Sequence, residues 1–291
     1  MQSESLRIQT ERGVFHGIAT GATTQSVVLC LHGFPDNCET YAMLLPLIAR
    51  QGFRVVAVNL RGYSPSPLEG PYRAEDLAED ILAICRALSP TAPVYVVGHD
   101  IGGQTLYRAM SKQPSLFLAG VILAAPHPQA IIRNSRRSFR QPWQSRYIIL
   151  MQFRGFAEWW VSRKDCRYVE KLWREWSPKF TLPEIHLRSV KETITASMPA
   201  PIEMYRSGDF AGSPEKLSTP TLLLMGDRDG CVVPAMAEGQ EALFTRRYEL
   251  RVIPNTGHFL HLEAPELINE CICEWFRSVP QAPSAKRGTE E

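Results

Sequence analysis

A chain of 291 residues that is 44% hydrophobic and 21% charged can bury a sizeable core, which excludes a disordered protein and admits one domain with an insertion or two domains. Its formal charge of +2 gives no overall electrostatic reason to expect nucleic acid or an anionic membrane as partner. The seven cysteines are odd in number and make no Cys-x-x-Cys pair, so reduced thiols in a cytoplasmic setting are expected rather than a disulfide framework. The first residues lack a basic start followed by an apolar stretch and predict no secretory signal, and no apolar run reaches membrane-spanning length.

Residues 6–10 and 13–19 alternate around Arg12-Gly13, the pattern of an antiparallel hairpin. Residues 26–31 are a continuous apolar run, as expected of a strand buried on both faces, and they end in His32-Gly-Phe-Pro35. The stripe Tyr41, Leu44, Leu45 and Ile48 predicts a helix over 39–50; a buried strand follows at 54–60 and a turn-rich loop at 61–67. Leu77, Ile81, Ile84 and Leu88 recur at helical spacing within 74–88. Residues 94–98 and 120–125 read as strands flanking a helix that runs to Lys112. Strands alternating with helices in this way imply a parallel sheet wound right-handedly.

That rhythm breaks at about residue 127. Up to 212 there is no convincing buried strand, and aromatic and basic helical segments are predicted at 143–154, 156–162, 165–176 and 182–197. The strand pattern returns at 221–226 and 248–253, and a helix is predicted over 263–278. The expected organisation is an α/β core of residues 1–126 and 213–278, an α-helical cap at 127–212, and a disordered tail at 279–291, with the active site in the crevice between core and cap. Arg133, Arg136, Arg137 and Arg140 read as a solvated cap face.

The chain is organised around Val94-Tyr-Val-Val-Gly-His-Asp-Ile-Gly-Gly103. Strand, sharp turn and helix with Gly-x-Asp-x-Gly at the corner describe the nucleophile elbow of an α/β-hydrolase fold, with Asp100 where serine is commoner. The plainer reading of Asp100, a helix N-cap, is left standing by this stretch alone. A carboxylate lifted on such a turn can attack carbon, and the resulting ester must be hydrolysed, which needs a base and an acid to orient it. His258, in the turn after the last strand, can be that base; Asp229, after the preceding strand, can hold its imidazole. Asp227 is a rival acid ranked lower because it is nearer the strand end. The order Asp100, Asp229, His258 matches the nucleophile, acid, histidine order of this fold. Backbone amides of Phe34 and Ile101 can form an oxyanion hole, while His32 is expected to pair with backbone.

His32-Gly-Phe-Pro35, Gly98-His-Asp-Ile-Gly-Gly103, Gly226-Asp-Arg-Asp229 and Gly257-His258, with an inserted helical cap, resemble the α/β-hydrolase-fold epoxide hydrolases over roughly residues 5–278. The resemblance implies a mostly parallel sheet with helices on both faces. It also implies ring opening by Asp100, assisted by two cap tyrosines that bind the epoxide oxygen. The stretch from Tyr147 through Gln152 and Gly155 to Ala157-Glu158 is similar to the one that carries the first of these, and Glu203-Met-Tyr-Arg206 to the one that carries the second, which identifies Tyr147 and Tyr205.

Glu203-Met204 stands where the family commonly has Asn-Trp, Arg154 where it has proline, and Ile101 where tryptophan is frequent, which bears on substrate shape. The expected substrate is a hydrophobic small-molecule epoxide, with Phe139, Trp143, Phe153, Phe156, Trp159 and Trp160 as an apolar cap lining. No metal or organic cofactor is called for, no nucleic acid partner is expected, and a homodimer is left open. The same nucleophile would serve a haloalkane or haloacid dehalogenase, although Phe34 and Ile101 stand where halide donors are needed. A ligand-binding homologue without turnover is a further alternative. A serine esterase is disfavoured, since Ser64 and Ser66 lack the Gly-x-Ser-x-Gly frame.

Overall fold

Successive side chains of a strand face opposite ways, so β3 (Ser26–Leu31) sends Val27, Leu29 and Leu31 into one apolar layer and Val28 and Cys30 into the other. The computed structural model, which describes residues 3–137, 140–207 and 216–279, repeats this pattern across one sheet. β1 (Glu4–Thr10) and β2 (Gly13–Thr20) form the expected hairpin, in register from Glu4 opposite Ala19 to Thr10 opposite Gly13. The other strands are β4 (Phe53–Val58), β5 (Val94–His99), β6 (Phe117–Leu123), β7 (Thr221–Gly226) and β8 (Tyr248–Ile253). Their order is β1-β2-β4-β3-β5-β6-β7-β8, with β2 antiparallel to both neighbours and every other pairing parallel. Being covered on both faces, β3, β5, β6 and β7 need the apolar runs that mark them in the sequence, whereas the edge strand β8 is only half-buried and mixes apolar with charged residues.

Leu77 and Ile81 of α2 (Ala74–Leu88) and Leu106 and Met110 of α3 (Ile101–Lys112) fill one layer. Leu45 and Ile48 of α1 (Leu44–Ala49) and Ile272 and Trp275 of α11 (Pro265–Ser278) fill the other. The helix expected over 39–50 is split into a 3-10 turn at Cys38–Tyr41 and α1. Pro46 is the reason: it lacks an N–H, which goes unmissed in the first turn of α1 but would break a longer helix. The last expected helix is likewise divided, into α10 (Leu260–Glu263) and α11, whose first residue is Pro265.

Between β6 and β7 runs the helical insertion: α4 (Pro128–Asn134), α5 (Arg140–Gln144), α6 (Arg146–Met151), α7 (Phe156–Trp176), α8 (Glu184–Ser197) and α9 (Ala200–Arg206). α7 is not continuous. Arg163 is extended, and Lys164, Asp165 and Cys166 are left-handed with φ of 50°, 54° and 52°, which is the break expected between 162 and 165. α4 and α9 are not among the expected helices; Pro128 and Pro201 sit in their first turns, where proline is tolerated.

The insertion is tied to the loops at the carboxyl ends of β3 and β4. Asn37 donates to Ser189 Oγ and Thr193 Oγ1 of α8 at 2.9 and 3.0 Å, Trp173 Nε1 donates to the Pro35 carbonyl at 3.0 Å, and the Ser64 amide donates to Ser197 Oγ at 2.8 Å. This is the edge at which open parallel sheets bind ligands.

The expected aromatic lining is not one. Trp143, Phe153, Phe156 and Trp159 are exposed and Trp160 is half-buried, because the insertion buries the neighbouring positions Tyr147, Met151, Ala157 and Val161 instead. Phe139, the boundary between 212 and 213, and the tail beyond 279 lie outside the described residues. Arg133, Arg136 and Arg140 are exposed as expected, with Arg133 also donating to the Glu238 carbonyl at 2.8 Å. No helix among the described residues is long and apolar enough to cross a membrane.

Candidate active site

The turn between β5 and α3 holds Asp100 at φ 48°, ψ −121°, a conformation that a side chain rarely adopts. Close approach enforces it. A Cβ on Gly102 would lie 2.5 Å from the carbonyl oxygens of both Leu31 and His32, so only a bare backbone lets α3 start against the end of β3. The Asp100 amide donates to the Leu123 carbonyl at 3.1 Å, and its carbonyl accepts from Gln104 at 2.9 Å, which fixes the side chain outward between the strand ends.

The carboxylate is buried. The Phe34 amide donates to Asp100 Oδ2 at 3.1 Å, and the Ile101 amide also favours the charged form. Burial nevertheless outweighs these donors and the nearby His258, and raises the Asp100 carboxyl above the usual carboxylate range. His32 lies beneath, with Nδ1 on the Gly33 carbonyl at 2.8 Å and Nε2 accepting from the Leu60 amide at 3.2 Å. Both of its ring nitrogens are thereby used by backbone.

His258 Nδ1 is 2.9 Å from Asp229 Oδ2, and Asp229 Oδ1 accepts from the amides of Cys231 and Val232 at 2.7 and 2.9 Å. The carboxylate is thus fully occupied in orienting one ring, with Nδ1 as the donor. His258 Nε2 is buried without a partner. Burial opposes protonation of that ring, but Asp229 and then Asp100 overcome it, and the imidazole is raised above its ordinary value. Asp227 is half exposed and 3.9 Å from its neighbour Arg228, so it takes no part.

Two loops carry Asp229 and His258, and one carbonyl joins them: Trp176 O, at the end of α7, accepts from the Gly230 and His258 amides, each at 3.0 Å. Ser177 Oγ receives the Phe259 amide at 3.1 Å and donates to Glu263, whose carboxylate in turn takes the Gly257 amide at 2.9 Å. From α5, Gln144 donates to the Asp229 carbonyl at 3.2 Å and Gln141 to that of Cys231 at 2.9 Å.

Above Asp100 stand Tyr147 of α6 and Tyr205 of α9, with rings edge to face and centroids 5.6 Å apart. Tyr205 also meets the Phe34 ring at 5.3 Å, and Tyr147 meets Trp176 at 5.0 Å. Burial raises both phenols well above their usual value, and the Asp100 carboxylate adds to it in both. Tyr147 Oη is 3.8 Å from Cys231 Sγ. Tyr205 Oη interacts with Tyr147 without closing a well-formed hydrogen bond and is a buried polar atom without a partner.

A cavity of about 200 Å³ opens here, its wall including Asp100, Gln104, Tyr147, Cys231, Ile131 and Val232. Asp100 and the weakly engaged phenol of Tyr147 face it, and His258 Nε2 and the Tyr205 phenol are buried without partners in the surrounding packing. That arrangement can accept a small, largely apolar electrophile, hold an oxygen of it from above and present a carboxylate from below. Among the described residues no group of three or more His, Cys, Asp or Glu could hold a metal ion.

The expected residues Asp100, Asp229, His258, Phe34 and Ile101 are therefore brought together, with Tyr147 and Tyr205 over them. Two of the departures from the family pattern also meet, since Arg154 reaches Glu203 at 3.4 Å and Glu203 pairs with Arg206 at 2.7 Å. Sequence reasoning missed Cys231, Gln141, Gln144 and Glu263. The proximity of Cys231 to Gly226-Asp-Arg-Asp229 was a signal for the first; the others act through backbone groups and carry none.

Residues 26–265 match the family described as alpha/beta hydrolase fold. Epoxide hydrolase 3 of Xenopus tropicalis is 27% identical over 278 residues, covering 90% of this chain and 74% of its own. Epoxide hydrolase 4 of Homo sapiens is 26% identical over 280 residues, covering 92% and 76%. The crystal structure of Bacillus megaterium epoxide hydrolase in complex with an inhibitor superimposes with a TM-score of 0.84 at 21% identity, covering 94% of this chain and 100% of that one.

Proposed function

The chain belongs to the alpha/beta hydrolase fold family, and from that premise we propose that it hydrolyses a hydrophobic epoxide to a vicinal diol through a covalent ester on Asp100. The division of labour we propose is a core of residues 1–126 and 213–278 carrying the nucleophile, acid and base, and a cap of residues 127–212 carrying the phenols. The relatives named epoxide hydrolase support the substrate class. What supports the chemistry above all is the pair of buried phenols sharing the field of one buried carboxylate.

Asp100 Oδ1 attacks an oxirane carbon while the Phe34 amide holds Oδ2 and the Ile101 amide faces the carboxylate. The C–O bond breaks as Tyr147 and Tyr205 donate to the ring oxygen, because an alkoxide is a poor leaving group unless it is hydrogen-bonded or protonated. The ester then presents its carbonyl oxygen to the same two amides. His258, held by Asp229, takes a proton from water as the water attacks the ester carbonyl, and the oxyanion collapses to release the diol. A dehalogenase built on the same nucleophile would need donors to its leaving halide at the positions that Phe34 and Ile101 occupy here. The seven buried, unpaired thiols fit a cytoplasmic setting.

The reading is tested with His258→Gln and a styrene-type epoxide. Ester hydrolysis should fall by about 10²- to 10⁴-fold, the worth of a general base, and a mass adduct should accumulate on the Asp100 peptide. A variant that forms no adduct, together with a wild type that makes no diol from a panel of epoxides, would count against it.

A further inference from the structure

α7 carries a second surface remote in chemistry from Asp100. At its break and beyond it, five cations, Arg163, Lys164, Arg167, Lys171 and Arg174, wall a hollow of about 310 Å³ in which no carboxylate takes part. The rings of Trp160 and Tyr168 complete it. The acids of the same helix are engaged elsewhere: Asp165 and Glu170 with Lys191 of α8, and Glu175 with Arg146 at 2.9 Å. Lys171 reaches Glu175 at 3.7 Å, whereas Arg163, Lys164, Arg167 and Arg174 have no ion pair among the described residues. Four cations are thus left uncompensated on one face of a chain whose total charge of +2 conceals them.

Next to them lie the aromatics that fail to line the cavity. Phe153, Phe156 and Trp159 are 58%, 48% and 54% exposed. Phe156, Trp159 and Trp160 pack ring on ring with centroids 5.7 to 6.1 Å apart. The Arg163 guanidinium stands 4.5 Å over Trp159 and 4.9 Å over Trp160. At the junction of apolar knob and cationic hollow, Lys164, Asp165 and Cys166 hold left-handed backbone, a local strain of the kind found at functional sites.

We propose that this face of α7 is a peripheral docking surface for an anionic lipid bilayer. Aromatic rings prefer the boundary between headgroups and acyl chains, and adjacent Lys and Arg are attracted to an anionic leaflet. Binding to single-stranded nucleic acid also combines rings with cations, but it uses separated rings on which successive bases stack. Here the rings are closed against one another and offer a contiguous apolar knob, which suits insertion.

The test is co-sedimentation of the full chain with vesicles of phosphatidylcholine alone or with added phosphatidylglycerol, at low and high salt. Binding is expected to the anionic vesicles, to fall with salt, and to weaken roughly tenfold or more in Arg167→Gln/Arg174→Gln, since two surface cations are removed. Trp159→Ala should weaken it independently and reduce the blue shift of tryptophan emission on vesicle addition. All of these positions are outside the proposed catalytic machinery, so turnover of a soluble epoxide and the melting temperature should be unchanged. Equal binding to neutral and anionic vesicles, equal binding by the double variant, or displacement from vesicles by a single-stranded oligonucleotide at lower concentration than by phosphatidylglycerol vesicles would overturn the proposal.

Discussion

The Phe34 amide points at Asp100 Oδ2 from 3.1 Å, so the two oxygens of one carboxylate are made unequal before any substrate arrives. Oδ2 is held where an ester carbonyl oxygen must sit, and Oδ1 is left to bond carbon. A single turnover in ¹⁸O-labelled water should therefore place the label on Asp100 and leave the diol with an oxygen taken from the protein. Label in the first diol formed would mean that water attacked the ring directly.

The tyrosines and the histidine act in different half-reactions and should fail differently. Tyr205→Phe or Tyr147→Phe removes one donor to the opening ring and should slow alkylation by about 10²-fold, with the double variant falling further. Neither should accumulate an ester, because hydrolysis is untouched. Rapid-quench mass analysis separates the two patterns, and an adduct in a Tyr→Phe variant would contradict the assignment.

Acid should act on ester hydrolysis through His258. His258 is raised above its ordinary 6.5, burial being overcome by Asp229 and Asp100, and it serves as base only when neutral. Ester hydrolysis should consequently be lost as pH falls. Alkylation consumes the Asp100 charge, one of the causes that holds the imidazole proton on, so the base is easier to deprotonate in the ester than in the free enzyme. The decay of preformed ester should lose rate at a lower pH than the one at which His258 titrates by NMR without substrate. Both phenols, pushed above 10, stay protonated and should add no alkaline limb below that value.

Stability should be sensitive to a buried ion pair that does not line the cavity. Arg61 holds Asp80 through two bonds, at 2.6 and 2.9 Å, and Arg12 adds a third at 2.6 Å. Asp80 and Arg61 are both nearly inaccessible, at 4% and 9% of their side chains. Asp80→Ala would strand the Arg61 charge and should cost about 3–5 kcal/mol in denaturant unfolding, the range for breaking a buried pair on one side. A loss below about 1 kcal/mol would show that water reaches Arg61 freely.

What could be read from the chain differed by kind of interaction. β3 and β7 begin and end where their apolar runs do, the half-buried β8 where its mixed apolar and charged stretch does, and α2 where its stripe does, because burial on one or both faces writes itself into residue type. Asp100, Asp229 and His258 were legible for a related reason, each following the end of such a run. The insertion was harder. Phe153, Phe156 and Trp160 have the spacing of a buried stripe, but Ala157 and Val161 occupy the inward face, and small residues win there because the helices pack closely. Glu263 was read as the start of a helix and is instead the acceptor that holds Gly257, a role set by backbone groups that have no residue code.

The carbonyl of Trp176 has a further consequence for anyone who would exchange lids between relatives. Because it grips the loops of Asp229 and His258 at once, the end of the long helix belongs with the machinery beneath it and cannot travel with the part that shapes the pocket roof. A chimera cut downstream of this position would import a foreign foundation for its own acid and base, whereas one whose downstream junction falls before Trp176 keeps that carbonyl native and needs Gln141, Gln144 and Tyr147 retained in the exchanged part.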